Sequence, residues 1–249
     1  MPSPFKILIF SRTVLYRHAS IPAGIQGLQR LAAASSTGEN PFSADATEDP
    51  SVFTPASLAA YRVIVLLQCS GDVLDRDSQL DALKGFVRSG GGVVAIHCAS
   101  YAMVSSEWYA GLIGGVFENH PEPQLGRLKV ENRDHPIMTC RCSQDDGGSR
   151  SAEGSQEAQM ELTWMDEWYN FKAHPRTTYD GLNVLLTVDE KSYEGGVHGE
   201  DHPIAWCQTF DGGRSYYTSL GHFDEAYEDE WFMGQLLGGI LWTAGVAGN

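Results

Sequence analysis

The stretch that most limits what this chain can fold into runs from Gly90 to Ser100, GGGVVAIHCAS. Three glycines end one element and release the chain into Val93-Val94-Ala95-Ile96, an apolar run with no polar alternation. A strand buried on both faces reads this way, as in the middle of a parallel sheet covered by helices on either side. The run stops on His97, Cys98 and Ser100, its first side chains with chemistry in them. In an open α/β sheet, ligands bind just beyond the carboxyl ends of the strands. The sequence therefore carries two reactive side chains to the place where a site is expected. The competing reading is a buried histidine and a buried thiol that only pack.

The same rhythm precedes this stretch. FKILIF, residues 5–10, reads as a first strand. A helix is expected from Ile21 to about Ala34, with Ser20 as its cap, Pro22 in its first turn and Ile25, Leu28, Leu31 and Ala32 on one face. Residues 42–47 form a weaker second strand, a short helix starts at Thr54-Pro55, and RVIVLL, 62–67, is a strong third strand. A helix over 75–87, with Leu80, Leu83 and Val87 aligned, leads back to the triple glycine. This alternation predicts an α/β protein: a doubly wound, mainly parallel sheet with helices on both faces and right-handed crossovers.

Beyond Ser100 the rhythm changes. A helix is expected at 107–113, a strand at 128–130, a turn at Asp134-His135-Pro136-Ile137 and a strand at 182–188. Residues 203–210 and 214–220 flank Asp211-Gly212-Gly213 and read as a hairpin, followed by a last helix over 224–242. Residues 143–159, SQDDGGSRSAEGSQEAQ, are polar and low in complexity. They read as a disordered surface loop within a single domain covering 1–249.

Composition narrows the function. Seventeen basic against 32 acidic residues give a net charge of -15, which argues against nucleic-acid or anionic-membrane partners, since both need basic patches. No run of 18 apolar residues is present, so no transmembrane helix is expected. The apolar run near the N-terminus is too short for a signal-peptide core. Five cysteines without repeated spacing argue against a disulfide framework and for a reducing, cytoplasmic home. Cys140 and Cys142 make only a weak C-x-C metal signal. No Gly-rich phosphate motif indicates a nucleotide. A homo-oligomer stays open.

Two constellations carry chemistry. His18 follows the first strand, His97 ends the central one, and His222 ends the last strong one. If those strands are parallel neighbours, the three imidazoles face one crevice, where they bind a metal such as Zn²⁺ or another divalent ion, or exchange protons near neutral pH. Asp166-Glu167-Trp168-Tyr169 sets two carboxylates beside large aromatics, a pattern for a half-buried acid or for flat faces under sugar rings. Its plainer reading is a strand with Trp164, Trp168 and Phe171 packed inward and the acids in water. Of four His-Pro pairs, at 120, 135, 174 and 202, most read as turns. His120 follows a Gly-Gly loop that could overhang the sheet edge.

These residues resemble the ThuA-like (trehalose-utilisation) family. The resemblance is carried by Tyr16-Arg17-His18 with Ser20-Ile21, by Gly90-Gly91-Gly92 leading to His97, and by Phe117-x-x-His120-Pro121. It continues through Asp134-His135-Pro136-Ile137, Asp166-Glu167-Trp168-Tyr169, His202-Pro203-Ile204-Ala205-Trp206, and Gly213-Arg214 through Tyr217 to Gly221-His222. The resemblance implies a flavodoxin-like fold of the class I glutamine amidotransferase-like superfamily. Those amidotransferases place a cysteine nucleophile on the sharp turn after the central strand. Here His97 takes that turn, as in other ThuA-like proteins, and Cys98 falls one position later. The family name comes from sugar catabolism, where members accompany dehydrogenases that make keto-sugars. The expectation is an enzyme acting on a sugar, glycoside or keto-sugar, with His97, Glu167 and His222 catalytic. His18, Tyr101, His120, Asp166, Trp168 and Tyr217 would bind substrate, and any metal would sit on His18, His97 and His222. The alternatives are a non-catalytic sugar-binding or regulatory domain, and a hydrolase using Cys98.

Overall fold

The computed structural model describes residues 3–141 and 161–247; the polar segment at 143–159 lies outside them. Nine strands form the main sheet: β1 (Phe5–Phe10), β2 (Phe42–Thr47), β3 (Val63–Leu67), β4 (Gly92–Ile96), β5 (Gln124–Val130), β6 (Glu161–Asp166), β7 (Asn183–Asp189), β8 (Pro203–Phe210) and β9 (Gly213–Thr218). Their order is β2-β1-β3-β4-β9-β8-β7-β5-β6. From β2 to β9 every neighbouring pair is parallel. The β8–β9 hairpin then reverses direction, and β8, β7, β5 and β6 extend the sheet as antiparallel neighbours. The expected doubly wound α/β fold is present. The antiparallel flank beyond the hairpin is what alternation in sequence did not announce.

Period-two packing explains why the central strands read as unbroken apolar runs. Ile7, Ile9, Val63, Val65, Val94 and Ile96 face one side, against Leu28 of α1 (Ile21–Ser35) and Phe232, Leu236 and Ile240 of α4 (Glu230–Thr243). Leu8, Phe10, Ile64, Leu66, Val93 and Ala95 face the other, against Leu83 and Val87 of α2 (Asp77–Arg88) and Leu112 of α3 (Glu107–Ile113). Each strand residue is buried whichever way it points, so no polar alternation survives. The last helix departs from expectation: residues Asp224–Glu228 form a 3-10 turn, and α4 starts afresh where Asp229 Oδ1 accepts from the Phe232 N–H. Ser20 also departs. It occupies the N-cap position of α1 without capping it, because its hydroxyl is used in the site below.

Two small ribbons form beyond the strand ends. Ser70–Gly71 pairs with Tyr101–Ala102 in parallel, and Phe117–Asn119 pairs with Asn170–Phe171 antiparallel. The second ribbon brings His120 and Tyr169, the residues flanking it, onto the same edge. Among the described residues no helix is long and apolar enough to cross a membrane.

Candidate functional site

Strands β1, β4 and β9 run parallel, with β3 between the first two, and end on the same edge of the sheet, where the three histidines meet. His97 opens a 3-10 turn, His97–Ser100, with φ +55, a conformation non-glycine residues rarely adopt. It is fully buried. Its Nδ1 lies 2.6 Å from the Ser219 carbonyl just past β9. Its Nε2 lies 3.1 Å from His18 Nε2 and 2.8 Å from the Tyr169 hydroxyl. Glu167, just past β6, fills the centre. Its Oε2 is 3.1 Å from His222 Nδ1, 3.3 Å from His97 Nε2 and 3.8 Å from His18 Nε2, and its Oε1 is 3.4 Å from His120 Nε2. Four imidazoles thus surround one carboxylate.

Burial alone would raise the Glu167 pKa, but the imidazoles of His18, His222 and His97 hold the carboxyl well below the usual carboxylate range. Burial pushes His18 down to about 4, with Glu167 opposing and the two neighbouring imidazoles assisting. Burial also pulls on His222, but the adjacent Glu167 carboxylate more than offsets it, and the ring is raised. Accessibility is graded. His97 and His18 are at the floor, while Glu167, His222 and His120 lie progressively nearer solvent, with side chains 9%, 17% and 33% exposed.

The other residues that the sequence assigned to substrate contact divide. Tyr101 is half-buried at the rim, its ring 5.2 Å from that of Phe117. Asp166, Trp168 and Tyr217, expected to contact substrate, are buried and make hydrogen bonds within the protein. Asp166 accepts from four N–H groups: Glu167 N, His222 N, Gly221 N and Trp164 Nε1. It fixes the turn that carries His222. Trp168 donates from Nε1 to the Gln124 carbonyl and lies against Gly126, where a Cβ would come within 2.6 Å of its ring. Tyr217 donates to the His97 carbonyl and sits 2.9 Å from Ser100 Oγ, supporting the strained turn from behind. The plainer reading of the Asp-Glu-Trp-Tyr stretch is corrected: Trp168 and Phe171 are inside, and so are both acids. Cys98 gets a structural role. Its S–H donates to the Gln68 carbonyl at 3.1 Å, with His18 Nδ1 3.4 Å away. Burial and the Glu167 charge push the thiol well above its ordinary range, the reverse of what a thiolate nucleophile needs.

Sequence reasoning missed Gln68, Tyr169 and the task of Ser20. Gln68, at φ +51 after β3, donates from Nε2 to the Gly221 carbonyl at 2.6 Å. Ser20 donates to the His222 carbonyl at 2.6 Å. Together with Asp166 they hold the backbone of Gly221 and His222 at both N–H groups and both carbonyls, while Gly221 itself sits at φ +112 with the Tyr227 hydroxyl 2.9 Å from where a Cβ would be. Tyr169 stacks obliquely on His97, ring centroids 4.4 Å apart. Its only sequence signal was adjacency to Glu167. Among the other His-Pro pairs, His135 accepts at Nδ1 from the Ile137 N–H at the start of a short helix, and His174 holds the equivalent position before Pro175. His202 is buried against Glu190, 2.7 Å away, and the Tyr169 carbonyl. A groove of about 450 Å³ lined by Leu58, Tyr61 and Phe86 lies by Gly90 and Gly91, ahead of β4 and so at the other end of the strands.

A family model described as trehalose utilisation, ThuA, matches residues 6–243. Solved structures with this fold include a thua-like protein from Bacteroides uniformis, TM-score 0.72 at 23% identity over 96% of this chain and 91% of that one. A thua-like protein from Parabacteroides merdae gives 0.70 at 17% identity over 97% and 90%. A cytoplasmic protein from Salmonella typhimurium gives 0.58 at 11% identity over 96% and 99%. No curated protein matches the sequence.

Proposed function

The chain belongs to the ThuA, or trehalose utilisation, family, and from that premise we propose that it is an enzyme acting on a sugar, glycoside or keto-sugar by proton transfer. One observation carries the reading: four imidazoles converge on a single buried carboxylate at the carboxyl edge of a parallel sheet. His135, by contrast, meets one backbone N–H and one thiol, with no carboxylate between them. Five ionisable side chains from five separate segments have no packing reason to share one point.

The division of labour follows accessibility. Glu167, His222 and His120 are the groups a bound polyol meets, so proton exchange with substrate falls to them. His97 shows no surface and reaches the substrate only through its neighbours, holding Glu167 and Tyr169 in place. Tyr16, exposed and edge-on to His18 at 4.7 Å, and Tyr101 offer flat rings at the rim. A small-molecule carbohydrate is therefore the proposed partner. The four described cysteines are free thiols, which fits a reducing, cytoplasmic home.

The test is turnover of a panel of glycosides and keto-glycosides followed by NMR, for wild type, Glu167→Gln and His97→Gln, with melting curves as the folding control. Loss of about 10²-fold or more in both folded variants is expected, the usual range for a general acid or base and its support. A folded wild type that binds sugars but converts none would overturn the enzyme reading in favour of a sugar-binding domain. Near-normal turnover in folded His97→Gln would leave that histidine purely structural.

A further inference from the structure

We propose that His18, His97, Glu167 and His222 form a binding site for one divalent first-row transition-metal ion. One ligand atom from each of the four residues lies within 4.8 Å of the others, and the short contacts run through Nε2 of His18 and His97, Oε2 of Glu167 and Nδ1 of His222. Bonds of about 2.0–2.1 Å arranged tetrahedrally place ligand atoms about 3.3–3.4 Å apart. The separations here are 3.1 Å (His18–His97), 3.1 Å (His222–Glu167), 3.3 Å (His97–Glu167) and 3.8 Å (His18–Glu167).

Tautomers point the same way. The Ser219 carbonyl can only accept, so His97 Nδ1 carries a proton and Nε2 is the nitrogen left to face the cluster. That nitrogen lies 3.3 Å from Glu167 Oε2, 3.1 Å from His18 Nε2 and 2.8 Å from the Tyr169 hydroxyl. An imidazole fixed by a backbone carbonyl on its far nitrogen is also the usual outer support of a histidine ligand. The second observation is His222 Nδ1: it is buried, and its partner is the Glu167 Oε2 charge 3.1 Å away, without a well-formed hydrogen bond. A metal bond would give that nitrogen the directed partner it lacks.

Three imidazoles and one carboxylate suit zinc, manganese, iron, cobalt or nickel rather than calcium or magnesium, which take oxygen ligands. The four donors come from the segments after β1, β4, β6 and β9, so an ion would tie those strand ends together. On the reading above, which supplies only its role, such an ion would polarise a carbonyl or hydroxyl oxygen of the sugar.

The experiment uses the full chain without substrate. Strip the protein with a chelator, titrate Co²⁺ while recording visible absorption, titrate Zn²⁺ by calorimetry, and count bound ions by mass spectrometry. One ion per chain, cobalt bands of a four- or five-coordinate site and a melting temperature raised by Zn²⁺ are expected. Glu167→Gln and His222→Gln should each weaken binding at least 10-fold, while His135→Gln should leave it unchanged. His222 is the most exposed of the four ligands, so its variant decides the matter if Glu167→Gln does not fold. A folded, stripped wild type that binds no ion overturns the site, as does binding that survives in a folded His222→Gln. Neither result touches the turnover assay, which judges the proton-transfer reading separately.

Discussion

Asp166→Asn isolates the support beneath the site. Asp166 is 0% exposed. Its Oδ1 accepts from Glu167 N at 2.9 Å and His222 N at 3.3 Å, and its Oδ2 accepts from Gly221 N at 2.9 Å and Trp164 Nε1 at 3.1 Å. Two effects compete. Burial pushes the carboxyl above its ordinary range, while nearby His97 and the N–H donors pull it down. All four neighbours are donors, so only the charged form satisfies them. An asparagine keeps one oxygen and turns an NH₂ group toward the other two donors, whichever way the amide is set. Two buried donors left without acceptors cost about 1–3 kcal/mol each. Burying a neutral amide instead of a charge offsets part of this, leaving a net loss of about 2–4 kcal/mol. For a chain of this length, 1 kcal/mol moves Tm by about 2–4 °C, so a fall of about 4–16 °C is expected. Thermal melts and urea unfolding with fitted m-values make the measurement, and Asp166→Ala, which removes all four acceptor contacts, should fall further. A folded Asp166→Asn within about 0.5 kcal/mol of wild type, the ordinary range for neutral surface changes, would refute the reasoning. It would mean that burial wins, that the acid is neutral, and that it does not hold the His222 turn by charge.

Cys98 should resist alkylation in the native protein and react only after unfolding, and Cys98→Ala should keep the site's ligand binding. Fast stoichiometric labelling of native Cys98, read by peptide mass spectrometry, would restore it as a nucleophile. His198 gives the pH prediction. Burial first, then the neighbouring His202 and His174, lower it to about 4, against the attraction of Glu190 and Asp201. Its folded value lies below the unfolded one of about 6.5, so the unfolded chain takes up the proton first as pH falls. The associated stability is complete above about pH 6.5 and is lost progressively toward pH 4. Allowing for partial solvent screening, the loss by pH 5 is roughly 1 kcal/mol, or about 2–4 °C. His198→Gln keeps an acceptor for the Phe171 N–H and should flatten the Tm profile between pH 7.5 and 5; parallel profiles would show that the ring does not titrate as its surroundings imply.

Local rules made much of this protein legible. Glycine release, apolar runs and proline at helix starts located β1 to β4 and the hairpin of β8 and β9. Histidines on the segments that follow apolar runs identified His18, His97 and His222, because strand ends in a parallel sheet lead to a common edge whatever their neighbours are. Glu167 was legible for a different reason, as an acid set among aromatics. What those rules could not supply was which side chain faces which partner. Asp166, Trp168 and Tyr217 share the local character of site residues, yet burial turns them into supports. Gln68 reaches Gly221 across 153 positions and Ser20 reaches His222 across 202. A hydrogen bond between residues so far apart leaves no trace in the periodicity of either segment. Sequence alone thus determined the strands, their apolar faces and the chemistry waiting at their ends. Only the tertiary structure, by inserting β9 beside β4 and folding β6 back along β5, decided that four histidines would close around one carboxylate.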